Sequence, residues 1–401
     1  MLRRVFKAFH YREFRLLWVG ACTSSIGTWM QEVAQSWLVL QISGSAFWLG
    51  LDAFLGDIPI FLFSLVGGAI ADRMSRRRLL LASQLVQMSC AFSLALLILL
   101  GIVQVWHILV LSFIVGTAQS FGGPAYSALV PTLVDKEDLP NAIALNSIQF
   151  NLARVIGPVL GGLALTSLGP SWCFSLNGVS FIAVIISLLL LRPSFQPEKT
   201  SESILTSMKQ GFGFIRKHGA MEGLIALAFC MTALAIPMIT FLPVFAKDVF
   251  HAGPTTYTIL LASSGIGSVA GALTVAAMGN IANKGRIALL MLICLGAGMT
   301  AFAQSKTLWW SCFLLFLSGA ALIAAFAMIS SLVQLITVNE MRGRVMSIYN
   351  VAFRGGMPFG SVLSGWLVPK FSAPTVIAVN GLLLVVLGIY FWLAQRRVAS
   401  L

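Results

Sequence analysis

The chain is short of charge. Only 10% of its 401 residues are Asp, Glu, Lys or Arg, against roughly 25% in soluble domains. With 58% apolar residues and 13 acids, it has too little polar surface to cover a water-soluble enzyme. Histidine is scarcer: His10, His107, His218 and His251 stand singly, so neither a metal cluster nor a catalytic triad can be drawn. The cysteines, Cys22, Cys90, Cys173, Cys230, Cys294 and Cys312, lie in or beside apolar runs with no CxxC pair and read as small core residues. No Gly-x-x-x-x-Gly-Lys-Ser/Thr phosphate loop occurs. The chain is therefore not expected to be an enzyme, and no catalytic residue, metal or cofactor is expected.

Apolar runs are what it has. They fall at 14–40, 46–70, 79–100, 104–127, 141–168, 172–191, 220–246, 256–279, 287–303, 307–335, 343–369 and 374–394. A bilayer span takes about 20 such residues, so twelve transmembrane helices use most of the length. The first run follows Arg3, Arg4, Lys7 and Arg12 with no small-residue cleavage site, and reads as a retained helix. The expected fold is all-α and integral to a membrane.

A net charge of +13 invites a nucleic-acid reading, but the basic residues are spread over alternate loops rather than gathered on one face. One set of loops and both ends hold 21 of them, including Arg73, Arg76, Arg77, Arg78, Arg192, Lys199, Arg396 and Arg397; the other set holds Lys247, Lys306 and Lys370. By the positive-inside rule both termini are expected in the cytoplasm. The longest polar stretch, with Pro193 and Pro197, predicts a division into a six-helix bundle at 1–191, a cytoplasmic linker at 192–219 and a second six-helix bundle at 220–401. Residues 204–215 predict a short amphipathic interfacial helix. Ser147-Ile148 with Arg154-x-x-x-Pro158 recurs 200 residues later as Ser347-Ile348 with Arg354-x-x-x-Pro358, the trace of two parallel halves.

Five ionisable residues interrupt apolar runs: Glu32, Asp52, Asp57, Arg154 and Arg354. Each costs about 2.5–3.5 kcal/mol to insert, which makes it a functional candidate. Glu32 and Asp57 lie near the middles of adjacent spans and suit proton coupling, since a carboxylate in a dry cavity titrates nearer neutrality. The alternative is that they pair with Gln, Ser or Arg neighbours to lock packing. Asp52 sits nearer the outer mouth. Trp29, Gln31, Gln35 and Trp37 in the first span, Gln119 and Tyr126 in the fourth, and Asn146, Gln149, Phe150 and Asn151 in the fifth offer amide and aromatic lining for a bulky ligand, or ties between helices. Gly265, Gly267 and Gly271 read as packing or hinge positions.

Two motifs are more specific. Gly68-Ala-Ile-Ala-Asp72-Arg73-Met-Ser-Arg76-Arg77-Arg78 follows the second span, with Gly68 permitting close helix approach and Asp72 and the arginines able to meet helix ends. Residues 279–286 form a degenerate copy without the acid. In the fifth span, Ala153-Arg154-Val-Ile-Gly157-Pro158-Val-Leu-Gly161-Gly162 combines small residues with a proline kink.

The first motif resembles the loop between helices two and three of the major facilitator superfamily, where it implies a conformational latch. The second resembles the antiporter motif of that superfamily's exporters, with Ala153 in place of the leading glycine. Further segments, among them Gly27-Thr-Trp29-Met30, Asp138-Leu-Pro-Asn141 and Arg342-Gly-Arg344, extend the likeness along the chain to the bacterial branch of macrolide efflux proteins and the enterobactin exporter. That resemblance implies export of an amphipathic drug or siderophore-like molecule from the bacterial cytoplasmic membrane. Two bundles would alternate access around a midplane site, driven by proton antiport. The arginine that drug/proton antiporters carry in the fourth span is absent between His107 and Tyr126, so Asp57 or Arg154 would replace it. A small-molecule substrate and the lipid bilayer are the expected partners, without nucleic acid, and the chain is expected to be a monomer. Uptake by the same fold, or lipid movement without ion coupling, are the alternatives.

Overall fold

A computed structural model describes residues 6–191, 204–279 and 283–393, without the side chains of residue 72, residues 204–208 and residue 339. The sequence readings on Arg3, Arg4, Arg192, Lys199, Arg396, Arg397, the Asp72 carboxylate and the first part of the linker, residues 192–203, lie outside the described residues.

Within them the chain is helical, as burial of backbone in lipid requires. In order the helices are α1 (Arg12–Ser43), α2 (Ala46–Arg73), α3 (Arg76–Leu99), α4 (Val105–Leu129), α5 (Leu139–Ser167), α6 (Pro170–Leu190), α7 (Ile204–Lys217), α8 (Gly219–Thr240), α9 (Pro254–Met278), α10 (Lys284–Gln304), α11 (Leu308–Ile336), α12 (Arg342–Phe371) and α13 (Ala373–Leu393). Pro140, Pro170 and Pro254 open α5, α6 and α9, where a missing amide proton costs nothing. Gly169, at φ 92°, turns the chain between α5 and α6 in a conformation that a Cβ would strain. Ten helices are long and apolar enough to cross a membrane. The long helices outside that set, α1 and α12, have 32 and 30 residues. They carry polar groups along their length, Gln31, Glu32 and Gln35 on one and Arg344, Asn350 and Arg354 on the other.

The chain divides into two compact units, residues 1–42 with 55–201 and residues 43–54 with 202–401. The first turns of α2 thus group with the second unit. There Gly50 backs onto the Ser361 carbonyl and Gly365 of α12, and the Phe54 and Phe359 rings meet at 6.1 Å.

Small residues bring the helices together, because lipid leaves no hydrophobic drive for association. In the first unit, Gly20 and Gly27 of α1 receive Ser187 and Ser180 of α6, Gly116 of α4 lies on the Gly56 carbonyl, and Gly67 of α2 lies on the Ser120 carbonyl. The close approach expected at Gly68 is therefore made one residue earlier. A Cβ on Gly68 would meet open space, because it points to the other side of α2. In the second unit Gly267 and Gly271 of α9 lie on the carbonyls of Phe316 and Ala320 in α11, and Gly356 and Gly360 of α12 lie against α8. Among the cysteines Cys294 is exposed rather than part of a core, since it lies on an outward face of α10.

Candidate functional site

Two of the charged candidates in the first unit, Glu32 and Arg154, lie where α1 crosses α5. On α5, Phe150, Arg154, Gly157 and Gly161 recur at helical spacing and form one stripe. Gly157 and Gly161 have no side chain to hold the helices apart: a Cβ on the first would collide with Trp29, and one on the second with the Met30 backbone. That close crossing sets Arg154 over the Trp29 ring, 5.8 Å from its centroid, and sets Phe150 edge-on to Trp29 at 6.2 Å. Glu32, one turn past Trp29 and exposed, is the charge that acts on the Arg154 guanidinium. Carboxylate, guanidinium and two aromatic rings thus form one cluster, able to hold an aromatic ligand, a proton or an ion pair. Pro158 and Gly162 are buried behind it. Asp57 is half-buried beside the Gly56–Gly116 crossing, and Asp52 is buried in the part of α2 that belongs to the second unit.

Most of the amides tie helices together. Asn177 of α6 donates to Gln31 at 2.6 Å, Gln31 donates to Gln35 at 3.5 Å, and Gln35 donates to Ser112 of α4 at 2.9 Å. Gln149 donates to Ser25 at 2.8 Å, Tyr126 to Asn146 at 3.0 Å, and Gln87 of α3 to Gln119 at 3.2 Å. Asn151 returns to the Ser147 carbonyl of its own helix at 2.8 Å. Sequence reasoning missed the partners Ser25, Gln87, Ser112 and Asn177. Each stands among other polar residues of its run, so nothing in the sequence set it apart as the partner.

The arginine loop sits at helix ends. Arg76 donates to the Ala128 carbonyl at 2.8 Å and Arg77 to the Leu189 carbonyl at 2.8 Å, in the last turns of α4 and α6. Those carbonyls have no partner within their own helices, and the negative end of each helix dipole favours a guanidinium. Arg73 is exposed. Nearby, the turn before α1 docks on the start of α5. Lys7 pairs with Asp138 at 2.6 Å, Tyr11 donates to Asp135 and Asp138, each at 2.9 Å, and the Ala8 amide donates to Asn141 at 2.9 Å. Lys7 and Tyr11 hold the Asp138 carboxyl below its usual range. Asp138 in turn raises Lys7, and with Asp135 it pushes the Tyr11 hydroxyl up to about 12.

In the second unit Arg354 is exposed on α12. Near it Phe326 of α11 packs on Phe353 at 4.4 Å and faces Tyr349 at 6.5 Å. These aromatics were not singled out from the sequence.

Comparison with known proteins agrees with this architecture. A family model described as "Transmembrane secretion effector" matches residues 4–399. The chain is 26% identical over 385 residues to the multidrug efflux pump Tap of Mycolicibacterium fortuitum, covering 93% of each. It is 26% identical over 388 residues to the enterobactin exporter EntS of Citrobacter koseri, covering 95% of this chain and 91% of the relative. Among solved structures, a bacterial homolog of the human lysosomal transporter Spinster, inward-facing and unoccupied, superposes with a TM-score of 0.77 at 14% identity over 97% of both chains. A D-xylose–proton symporter gives 0.75 at 14% identity, over 96% of this chain and 98% of that one. At such identities the structures speak to fold alone, whereas the family match spans nearly the whole length: the chain belongs to the transmembrane secretion effector family of major facilitator transporters, multi-pass membrane proteins that are not enzymes.

Proposed function

We propose that this protein exports an amphipathic small molecule from the bacterial cytoplasmic membrane by proton antiport. In this reading the chain crosses the bilayer twelve times, with α1 and α12 as the two polar spans and both termini in the cytoplasm. It works as a monomer in lipid, without a cofactor, on the proton gradient. One observation carries the reading: a guanidinium, Arg154, is held over the Trp29 ring at a helix crossing inside apolar segments, with the carboxylate Glu32 one turn along the same helix as Trp29. Inert helices have no reason to retain such a pair.

The chemistry follows from the pair. Ionised Glu32 holds Arg154 in place. A proton on Glu32 removes the negative charge, releases the guanidinium and changes which arrangement of the bundles is favoured. The substrate would rest against Trp29 and Phe150 and compete for the same groups. Asp57 is the second candidate carrier, and the arginines at the ends of α4 and α6 would act as the latch. That both relatives named above are exporters favours outward transport.

The test is accumulation of fluorescent amphiphiles of both charge signs in efflux-deficient bacteria, with and without a protonophore. Expression of the chain is expected to lower accumulation of at least one dye, and the protonophore or Glu32→Gln to restore it. Normal gradient-driven efflux in both Glu32→Gln and Asp57→Asn would overturn proton coupling. Raised accumulation would point to uptake.

A further inference from the structure

The second unit has a cavity of its own. A cavity of about 410 Å³ opens along α11 and the start of α12, lined by Phe326, Ser330, Ser331, Gln334, Leu335 and Arg342. The lining is ordered by chemistry. Phe326, Ser330 and Gln334 recur every fourth residue, and Ser331 and Leu335 follow the same period, so one face of α11 forms the wall. At about 1.5 Å per residue, the wall from Phe326 to Leu335 is about 13 Å long.

Its ends differ. The Phe326 end is aromatic, backed by Phe353 at 4.4 Å and Tyr349 at 6.5 Å. The middle offers two hydroxyls and an amide, with Gln334 donating to Ser330 at 3.4 Å. The far end carries Arg342, exposed, and among the described residues no carboxylate lines the cavity. Glu340 lies two residues before Arg342 in the turn that opens α12 but is not part of the lining. A guanidinium as the one charged group of the wall favours an anionic group and repels an organic cation.

We infer that this cavity binds amphipathic organic anions, with an aromatic or apolar end against Phe326 and an anionic group at Arg342. The site names the class of cargo for the export reading and rests on it: on the proposed orientation Arg342 lies at the cytoplasmic end, where cargo enters. Ser330, Ser331 and Gln334 would orient the cargo through its polar middle.

The experiment measures binding without any gradient, so its outcome is separate from that of the efflux assay. The purified full chain in phosphatidylcholine nanodiscs is titrated with dansylglycine, an aromatic carboxylate, and in parallel with dansylcadaverine, its cationic counterpart. Saturable binding of dansylglycine is expected, weakened about ten-fold by Arg342→Gln through loss of a charge-assisted contact and largely kept by Arg342→Lys. Gln334→Leu, at an exposed position that does not threaten folding, should also weaken it. Dansylcadaverine should show no binding that depends on these residues. Four results would overturn the inference: no saturable binding, equal binding in Arg342→Gln and Gln334→Leu, preference for the cation, or displacement by phosphatidylglycerol in the nanodisc, which would make this a lipid site. Binding as expected in a chain that fails the protonophore assay would retract the export reading and leave the site.

Discussion

Among single residues, the glycines of α5 matter as much as the charges they position. Gly157 is small so that Trp29 can lie under Arg154. Gly157→Val should force α1 and α5 apart, costing about 1–3 kcal/mol as overpacking does. It should also remove efflux, while Gly68→Ala, facing open space, leaves stability near normal. Thermal unfolding in detergent alongside dye efflux checks both. Arg154→Gln should free Glu32 from its cation and shift the pH dependence of efflux, an effect that a merely structural role would not produce. The charged candidates were legible in the sequence because an ionisable side chain in an apolar run is conspicuous. Their partners were not. Periodicity shows that Glu32 and Arg154 lie in the first and fifth spans, but it cannot say that α1 and α5 cross at Gly157, nor that Gly67 rather than Gly68 faces α4. Those facts depend on the rotation of each helix about its own axis.

Whole elements are fixed at their ends. Arg76 and Arg77 tie the start of α3 to the last carbonyls of α4 and α6. Arg76→Gln and Arg77→Gln should each cost about 0.3–1 kcal/mol through the lost dipole contact, measured as a lower unfolding temperature, with the double variant roughly additive. The clip on the start of α5 depends on pH in both directions. The Asp138 carboxyl is held low, so its contribution is present above the ordinary value of 3.8 and is lost as pH falls through the lower folded value. Lys7 and Tyr11 are raised from 10.5 and 10.0, so theirs are present below those values and are lost as pH rises through the folded ones, about 12 for Tyr11. A spin label at exposed His10 should therefore stay immobilised from about pH 4 to pH 10 and loosen outside that window. Asp138→Asn should mobilise it at neutral pH. The helices themselves were legible, since each apolar run lies on a long helix. Ser330, Ser331 and Gln334 are visible in the run at 307–335, but that they share one wall with Arg342 shows only once α12 is laid beside α11.

For the molecule as a whole, the sequence carried the family and the repeat, and the structure adds where the halves differ. Arg154 in α5 is covered by Trp29, whereas its counterpart Arg354 in α12 is exposed. The cavity with Arg342 belongs to the second unit. The division of the chain is also less simple than a cut at the linker, because the start of α2 groups with the second unit through Gly50 and Gly365. Linear composition could not reveal this, since nothing in the apolar run at 46–70 marks a boundary. The central claim, that a proton gradient drives outward transport through Glu32, is tested most directly with purified protein in liposomes. An imposed pH gradient should drive accumulation of a dye found in the cell assay. Glu32→Gln should abolish that accumulation while retaining downhill exchange of labelled for unlabelled dye. Accumulation in Glu32→Gln equal to that of the unmodified chain, or accumulation indifferent to the pH gradient, would contradict the account.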